Sequence, residues 1–206
     1  MILNAGVYQN QPALKTSKVE RDRINQINYQ APVDLTEALL HKANWKQRGH
    51  GHIVVVASLM AHGPHGLSAT YAASKAALRS YFYSLSTEEA SWLRVDVACP
   101  GFTDTGLWDH SPGQPTRGSA MKPDRVAHLI LTGVAGPYVL MYETFHSGFD
   151  GLLWVWLRHY MPGFFHLFVH VVAYVRVPIW EHEKIDALDL GMLIHRLGLI
   201  LMGKYP

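Results

Sequence analysis

The run Ile53-Val54-Val55-Val56-Ala57 constrains the fold more than any other stretch of this chain. Consecutive apolar residues, three of them valine, describe a short strand covered on both faces. The strand delivers Ser58 to its tip. A loop holding Gly63, Pro64 and Gly66 follows, and residues 68–90, rich in alanine and leucine, read as a long helix. Arg94 to Ala98 is a second short strand, ending at Cys99-Pro100-Gly101. Pro123 suits the first turn of a helix running to Ala135, which Gly136-Pro137 stops before a further strand over Tyr138 to Tyr142. Strands alternating with helices predict an α/β fold built on a mainly parallel sheet.

Upstream, residues 17–43 read as one helix with Val19, Ile24, Ile27, Val33, Leu35, Leu39 and Leu40 on its apolar side. Pro32 removes an interior hydrogen bond and predicts a bend. Asn28 lies one turn before it, where a freed carbonyl and an amide side chain could meet water; a plain structural asparagine fits the spacing equally well. Met1 to Gly6 is short, apolar and uncharged, and reads as the end of a buried strand and its turn, with no signal peptide. Residues 101–122 are rich in glycine and proline, a length of loop expected of a functional lid.

Two hundred and six residues, about half of them hydrophobic, suit an ordinary folded domain and exclude disorder. A formal charge of +2 gives no reason to expect nucleic acid. One cysteine, Cys99, excludes an internal disulfide and any multi-cysteine metal site. Composition shifts after about Ser147, which divides the chain into a domain over 1–146 and an apolar helical extension over 147–206. Neither apolar run of the extension reaches the roughly 18 to 20 residues of a membrane-spanning helix. Trp154, Trp156, Tyr160, Tyr174 and Trp180, with Arg158 and Arg176, suit a helix at headgroup level, and a substrate-pocket wall or subunit interface suits them as well. His166 and His170 have metal-pair spacing, but no carboxylate lies near, so no metal is expected.

The chemistry concentrates between Ser58 and Lys75. Tyr71 opens the long helix and Lys75 follows one turn later on the same face, so a hydroxyl, a phenol and an ammonium converge above one strand end. A phenol has an ordinary pKa of about 10. A cation one turn away is expected to bring it down and make Tyr71 a proton donor and acceptor. Ser58 would hold and polarise a carbonyl as charge develops.

Tyr71-x-x-x-Lys75, the serine thirteen residues upstream, Asn4-Ala5-Gly6 after the first strand and Pro100-Gly101 after a later one together resemble the short-chain dehydrogenases/reductases. The resemblance covers about residues 1–145. Ile2-Leu3-Asn4, Ile53 to Ser58 and Gly101-Phe102-Thr103-Asp104-Thr105 are similar to the hydroxysteroid-dehydrogenase-like members, and the tail from Leu152 to Pro162, with Tyr160-Met161-Pro162, resembles a membrane-associated subset. It implies that Asn28, Ser58, Tyr71 and Lys75 are catalytic, Asn28 keeping a water in line with Lys75. It implies that Asn4, Ala5, Gly6, Tyr71, Lys75, Pro100, Gly101, Thr103 and Thr105 bind NADP or NAD, with NADP favoured. The implied fold is a partial Rossmann-like doubly wound sheet holding strands 4 to 7 of the family order 3-2-1-4-5-6-7. The family's glycine-rich pyrophosphate loop occurs nowhere in the 206 residues, since Gly49-x-Gly51 precedes a strand instead of following one.

The chain is therefore expected to be N-terminally truncated, with its first strand an exposed edge, poor stability alone and no tight dinucleotide binding. Two functions stay open. One is an NAD(P)-dependent oxidoreductase interconverting an alcohol and a ketone or aldehyde of a lipophilic substrate such as a steroid, retinoid or fatty carbonyl. The other is an inactive remnant that binds a partner or a membrane through its exposed edge and tail, the membrane contact lying over residues 150–180. A homodimer through residues 17–43 and 68–90 is implied by the family, and the location is expected to be the endoplasmic reticulum membrane or the cytoplasm.

Overall fold

The computed structural model describes residues 1–42, 45–64, 66–108, 120–135, 143–144, 156–157, 159–161 and 163–164. Its centre is a parallel sheet of strands β1 (Ile2–Leu3), β2 (Gly51–Val56), β3 (Leu93–Ala98) and β4 (Glu143–Thr144), in that spatial order. β2 and β3 pair along their whole length, from Gly51 opposite Leu93 to Val56 opposite Ala98. Parallel neighbours need crossovers, and helices supply them. Helix α3 (Ala69–Glu88) joins β2 to β3, and α4 (Pro123–Ala135) lies between β3 and β4. The α/β parallel architecture read from the sequence is the one observed.

Both faces of the sheet are covered, which explains the unbroken apolar run in β2. Alternation puts Ile53, Val55 and Ala57 on one face with Val95, Val97 and Cys99, packed against Leu78 and Phe82 of α3. Val54 and Ala98 point the other way, against Val126 and Ile130 of α4. Asp96, an acid inside β3, is buried but matched: it accepts from Arg94 Nε at 2.8 Å and lies 2.7 Å from His52 Nε2. β1 stands at the sheet edge among the described residues, with Ile2 largely exposed.

The long helix before β2 contains a local irregularity. α1 (Lys18–Asn25) begins at Ser17, whose hydroxyl accepts from the Glu20 N–H, and α2 (Ala31–Lys42) continues it. Between them Gln26–Gln30 widens into a π-turn, closed by the Ala31 N–H on the Gln26 carbonyl. Pro32 is the physical reason, because it offers no N–H to the carbonyl of Asn28. The bend expected at Pro32 is taken up by this turn, and the helix carries on. Ile24 and Val33 are buried as the pattern requires, whereas Val19 and Leu35 lie exposed and take no part in the core.

The strand expected over Tyr138 to Tyr142 lies outside the described residues, and so does most of the extension after residue 147. No helix among the described residues is long and apolar enough to cross a membrane.

Phe82 is fully buried between sheet and helix. Phe82→Ala is expected to lower stability by about 3 to 5 kcal/mol, measured as a reduced midpoint in urea. A smaller loss would show that the α3 face of the sheet can collapse around the missing ring.

Candidate active site

Parallel strands place all their carboxyl ends at one edge of the sheet, and ligands of open α/β sheets bind there. Here that edge gathers Asn4-Ala5-Gly6 after β1, Ser58 after β2, and Pro100 to Thr105 after β3. Two backbone bonds hold the ends together: Ala57 N–H to the Ala98 carbonyl at 2.8 Å and Leu59 N–H to the Pro100 carbonyl at 2.9 Å.

Ser58 caps the short 3-10 turn Leu59–Ala61, its hydroxyl accepting from the Met60 N–H at 3.2 Å. The same hydroxyl lies close enough to the Tyr71 phenol to pull its pKa down. Ser58 is thus a strand-end cap whose hydroxyl also lies at the phenol. Tyr71 is 5% exposed and Lys75 3%. The ring of Tyr71 meets Tyr8 edge-on at 4.9 Å, and Met60, Phe102 and Leu107 complete an apolar wall round the pair.

Lys75 sends its ammonium to the Val56 carbonyl at 2.9 Å. Its Nζ also lies beside the backbone of Gly6, where an added methyl would meet it at 3.4 Å and Asn28 Oδ1 at 3.5 Å. Asn28 is wholly buried. Its Oδ1 accepts from the Val7 N–H at 2.8 Å, and its Nδ2 donates to the Val7 carbonyl at 2.9 Å and to Ser74 Oγ at 3.0 Å. Ser74 in turn donates to the Tyr71 carbonyl at 2.7 Å. The amide that the sequence places near a water is thus fully engaged with protein.

Burial governs the electrostatics. It pushes the Tyr71 phenol up to about 12, against the downward pull of the Ser58 hydroxyl, and the neighbouring Cys99 adds to the rise. Burial likewise lowers the Lys75 ammonium to about 8, with Cys99 opposing that shift. The lowering of Tyr71 expected from a cation one turn away is therefore not found in the chain by itself. Removing the phenol from water raises its pKa, and the ammonium is held by the Val56 carbonyl.

The cofactor residues read from the sequence fall on the same edge. Asn4 and Ala5 are exposed and Gly6 partly so. Thr103 Oγ1 donates to the Gly101 carbonyl at 3.2 Å, and Thr105 Oγ1 accepts from the Leu107 N–H at 3.4 Å. Two backbone bonds tie residues 102–104 to Met121, Met121 N–H to the Phe102 carbonyl and Asp104 N–H to the Met121 carbonyl, both at 2.9 Å. Residues 109–119 lie outside the described residues, as do His166 and His170. No cluster able to hold a metal occurs among the described residues. Tyr8, Ser74 and the apolar wall are not flagged by any motif. Their signal is adjacency alone, Tyr8 two residues after Gly6 and Ser74 one before Lys75.

A family model described as short chain dehydrogenase matches residues 1–115, more than half of the chain. This chain belongs to the short-chain dehydrogenase/reductase family. Among curated relatives, dehydrogenase/reductase SDR family member 7 of Homo sapiens is 30% identical over 173 residues, covering 79% of this chain and 50% of its own. Family member 7B of Danio rerio is 35% identical over 104 residues, covering 50% of this chain and 33% of its own. The chain thus spans a third to a half of the length of these relatives. A short chain dehydrogenase from Burkholderia cenocepacia J2315, solved in complex with NADP, has a TM-score of 0.68 at 21% identity, covering 82% of this chain and 67% of that one. That likeness shows the Rossmann-like fold.

A lysine that folding makes less basic changes the pH dependence of stability. The unfolded Lys75 keeps its proton up to about pH 10.5 while the folded one loses it near 8. Between these values the unfolded state binds more protons, so stability rises with pH. Urea unfolding from pH 8 to 10 should show this rise in the native chain and a flatter profile in Lys75→Met. Equal slopes would contradict the burial of a titrating ammonium.

Proposed function

We propose that this chain supplies the proton-handling side of an NAD(P)-dependent oxidoreductase that interconverts an alcohol and a ketone or aldehyde on a lipophilic substrate. The observation that carries the reading is the convergence of Ser58, Tyr71 and Lys75, all nearly dry, at the carboxyl end of β2. Family membership supports it.

The donor set suits a nicotinamide nucleoside. A buried ammonium with a main-chain carbonyl partner sits beside the open backbone of Gly6, where a ribose hydroxyl could share it. Asn4, Ala5, Pro100, Gly101, Thr103 and Thr105 would hold the rest of that end. NADP is the first cofactor to test and NAD the second, since solved relatives hold NADP in one case and NADH in another. When bound, the cofactor supplies or accepts the hydride.

The chain's own residues would handle the proton. In reduction Tyr71 gives its phenolic proton to the nascent alkoxide, and in oxidation it takes the alcohol's proton. Ser58 holds the reacting oxygen and steadies the phenolate through its hydroxyl. Lys75 keeps positive charge near both. With its amide engaged, Asn28 would act through its main-chain carbonyl, to which Pro32 offers no N–H, if it holds a water for proton return. Tyr8, Met60, Phe102 and Leu107 round the phenol favour an apolar substrate and exclude water.

In a version joined to the family's glycine-rich pyrophosphate loop, Tyr71→Phe should lose at least about a hundredfold in turnover in NADPH-dependent reduction of a hydrophobic ketone, while calorimetry finds unchanged cofactor affinity. Retained turnover would mean that another group is the acid.

A second reading rests on the extension, proposed here as a unit of its own after residue 146. Trp156 and Tyr160 are 49% and 67% exposed, with ring centroids 5.6 Å apart. Residues 151–180 contain no acid. Aromatic rings with cationic neighbours suit an anionic membrane surface. Co-sedimentation with phosphatidylserine vesicles should fall several-fold in Trp156→Ala/Tyr160→Ala, and no binding by the native chain would remove this reading.

A further inference from the structure

Tyr71 stands at the third position of α3, so the start of that helix sets where the phenol points. Helix starts leave N–H groups without intrahelical partners, and a side chain at the N-cap ordinarily accepts from the second or third of them. Ser68 is the N-cap here, and its carbonyl accepts the first helical bond, from Ala72 at 2.8 Å. Its side chain makes no capping bond. The Thr70 N–H, at the second position, is accepted at 3.1 Å by the Oε1 of Gln9, sixty-one residues upstream.

Gln9 is held from its other end as well. Its Nε2 donates to Thr16 Oγ1 at 2.7 Å and to the Gln11 carbonyl at 3.3 Å, and the residue is 2% exposed. Two residues on, the Gln11 N–H donates to the Leu67 carbonyl at 2.8 Å. Leu67 has a φ of 72°, a left-handed conformation that a branched side chain adopts only when its surroundings hold it there. One residue before Gln9, the ring of Tyr8 rests edge-on against Tyr71. A single loop, residues 8–11, therefore touches the acid's ring, its helix start and the strained residue leading into that helix.

We infer that Gln9 is a positioning residue for Tyr71, capping the acid-bearing helix from the loop that follows Asn4-Ala5-Gly6. The loop that carries the cofactor-side residues and the helix that carries the acid are thereby set in one register. The functional meaning of this link rests on the role proposed for Tyr71, but its test does not require turnover.

The test is amide exchange and 13C-tyrosine spectroscopy on the full chain, with Tyr71→Phe assigning the Tyr71 resonance. In Gln9→Ala, Thr70 exchange should rise about fivefold or more relative to amides at the centre of α3, and the Tyr71 resonance should shift. Gln9→Glu keeps an acceptor oxygen for the Thr70 N–H but gives up the Nε2 donations to Thr16 and Gln11, and should restore the greater part of the Thr70 protection lost in Gln9→Ala. Unchanged Thr70 protection and Tyr71 signal in Gln9→Ala would overturn the inference. So would a loss spread evenly over all amides that Gln9→Glu fails to restore, the signature of a residue that only stabilises the fold. If Tyr71 proves not to be the acid, the turnover of Tyr71→Phe shows it separately, and the capping result stands or falls by its own readout.

Discussion

The site depends on the amide of Asn28. Three hydrogen bonds from one buried side chain fix both backbone groups of Val7 and, through Ser74, the backbone of Tyr71. Removing it would leave buried polar groups on two segments without partners, at a cost of about 1 to 3 kcal/mol for each group. More to the point, the loop after β1 would lose its register against α3. Lys75 would then lose the close wall of Gly6 along which its ammonium lies.

The π-turn follows from the same need. A regular α-helix through Pro32 would keep uniform spacing and place residue 28 by the helical period alone. Widening the turn at Gln26–Gln30 absorbs the missing donor of Pro32 and seats Asn28 at the junction of three segments. A backbone irregularity and a buried polar junction thus coincide at Asn28, next to one proline.

Much of the fold was legible because its signals are local. The valine run of β2 announces a strand covered on both faces, and Pro123 and Gly136-Pro137 punctuate α4. The meeting of Ser58, Tyr71 and Lys75 was legible because one strand tip and one helical turn fix it. What stayed hidden depends on long-range contact. Nothing in the sequence shows that Gln9 reaches Thr70 or that Tyr8 lies on Tyr71. The protonation balance was also misjudged from spacing: a lysine one turn away suggests a lowered phenol, but burial raises it. Val19 and Leu35 fit the apolar pattern of their helix and yet lie exposed, because periodicity names a face without saying what covers it.

The central claim is that Ser58 and Tyr71 act as one proton-handling unit. The pH dependence of alcohol oxidation tests it most directly, because the rate should rise as Tyr71 ionises and becomes a base. The Ser58 hydroxyl favours that ionised form. In Ser58→Ala the rising limb should therefore move to higher pH, with a lower rate at every pH below it. A limb that stays in place when Ser58 is removed would contradict the account.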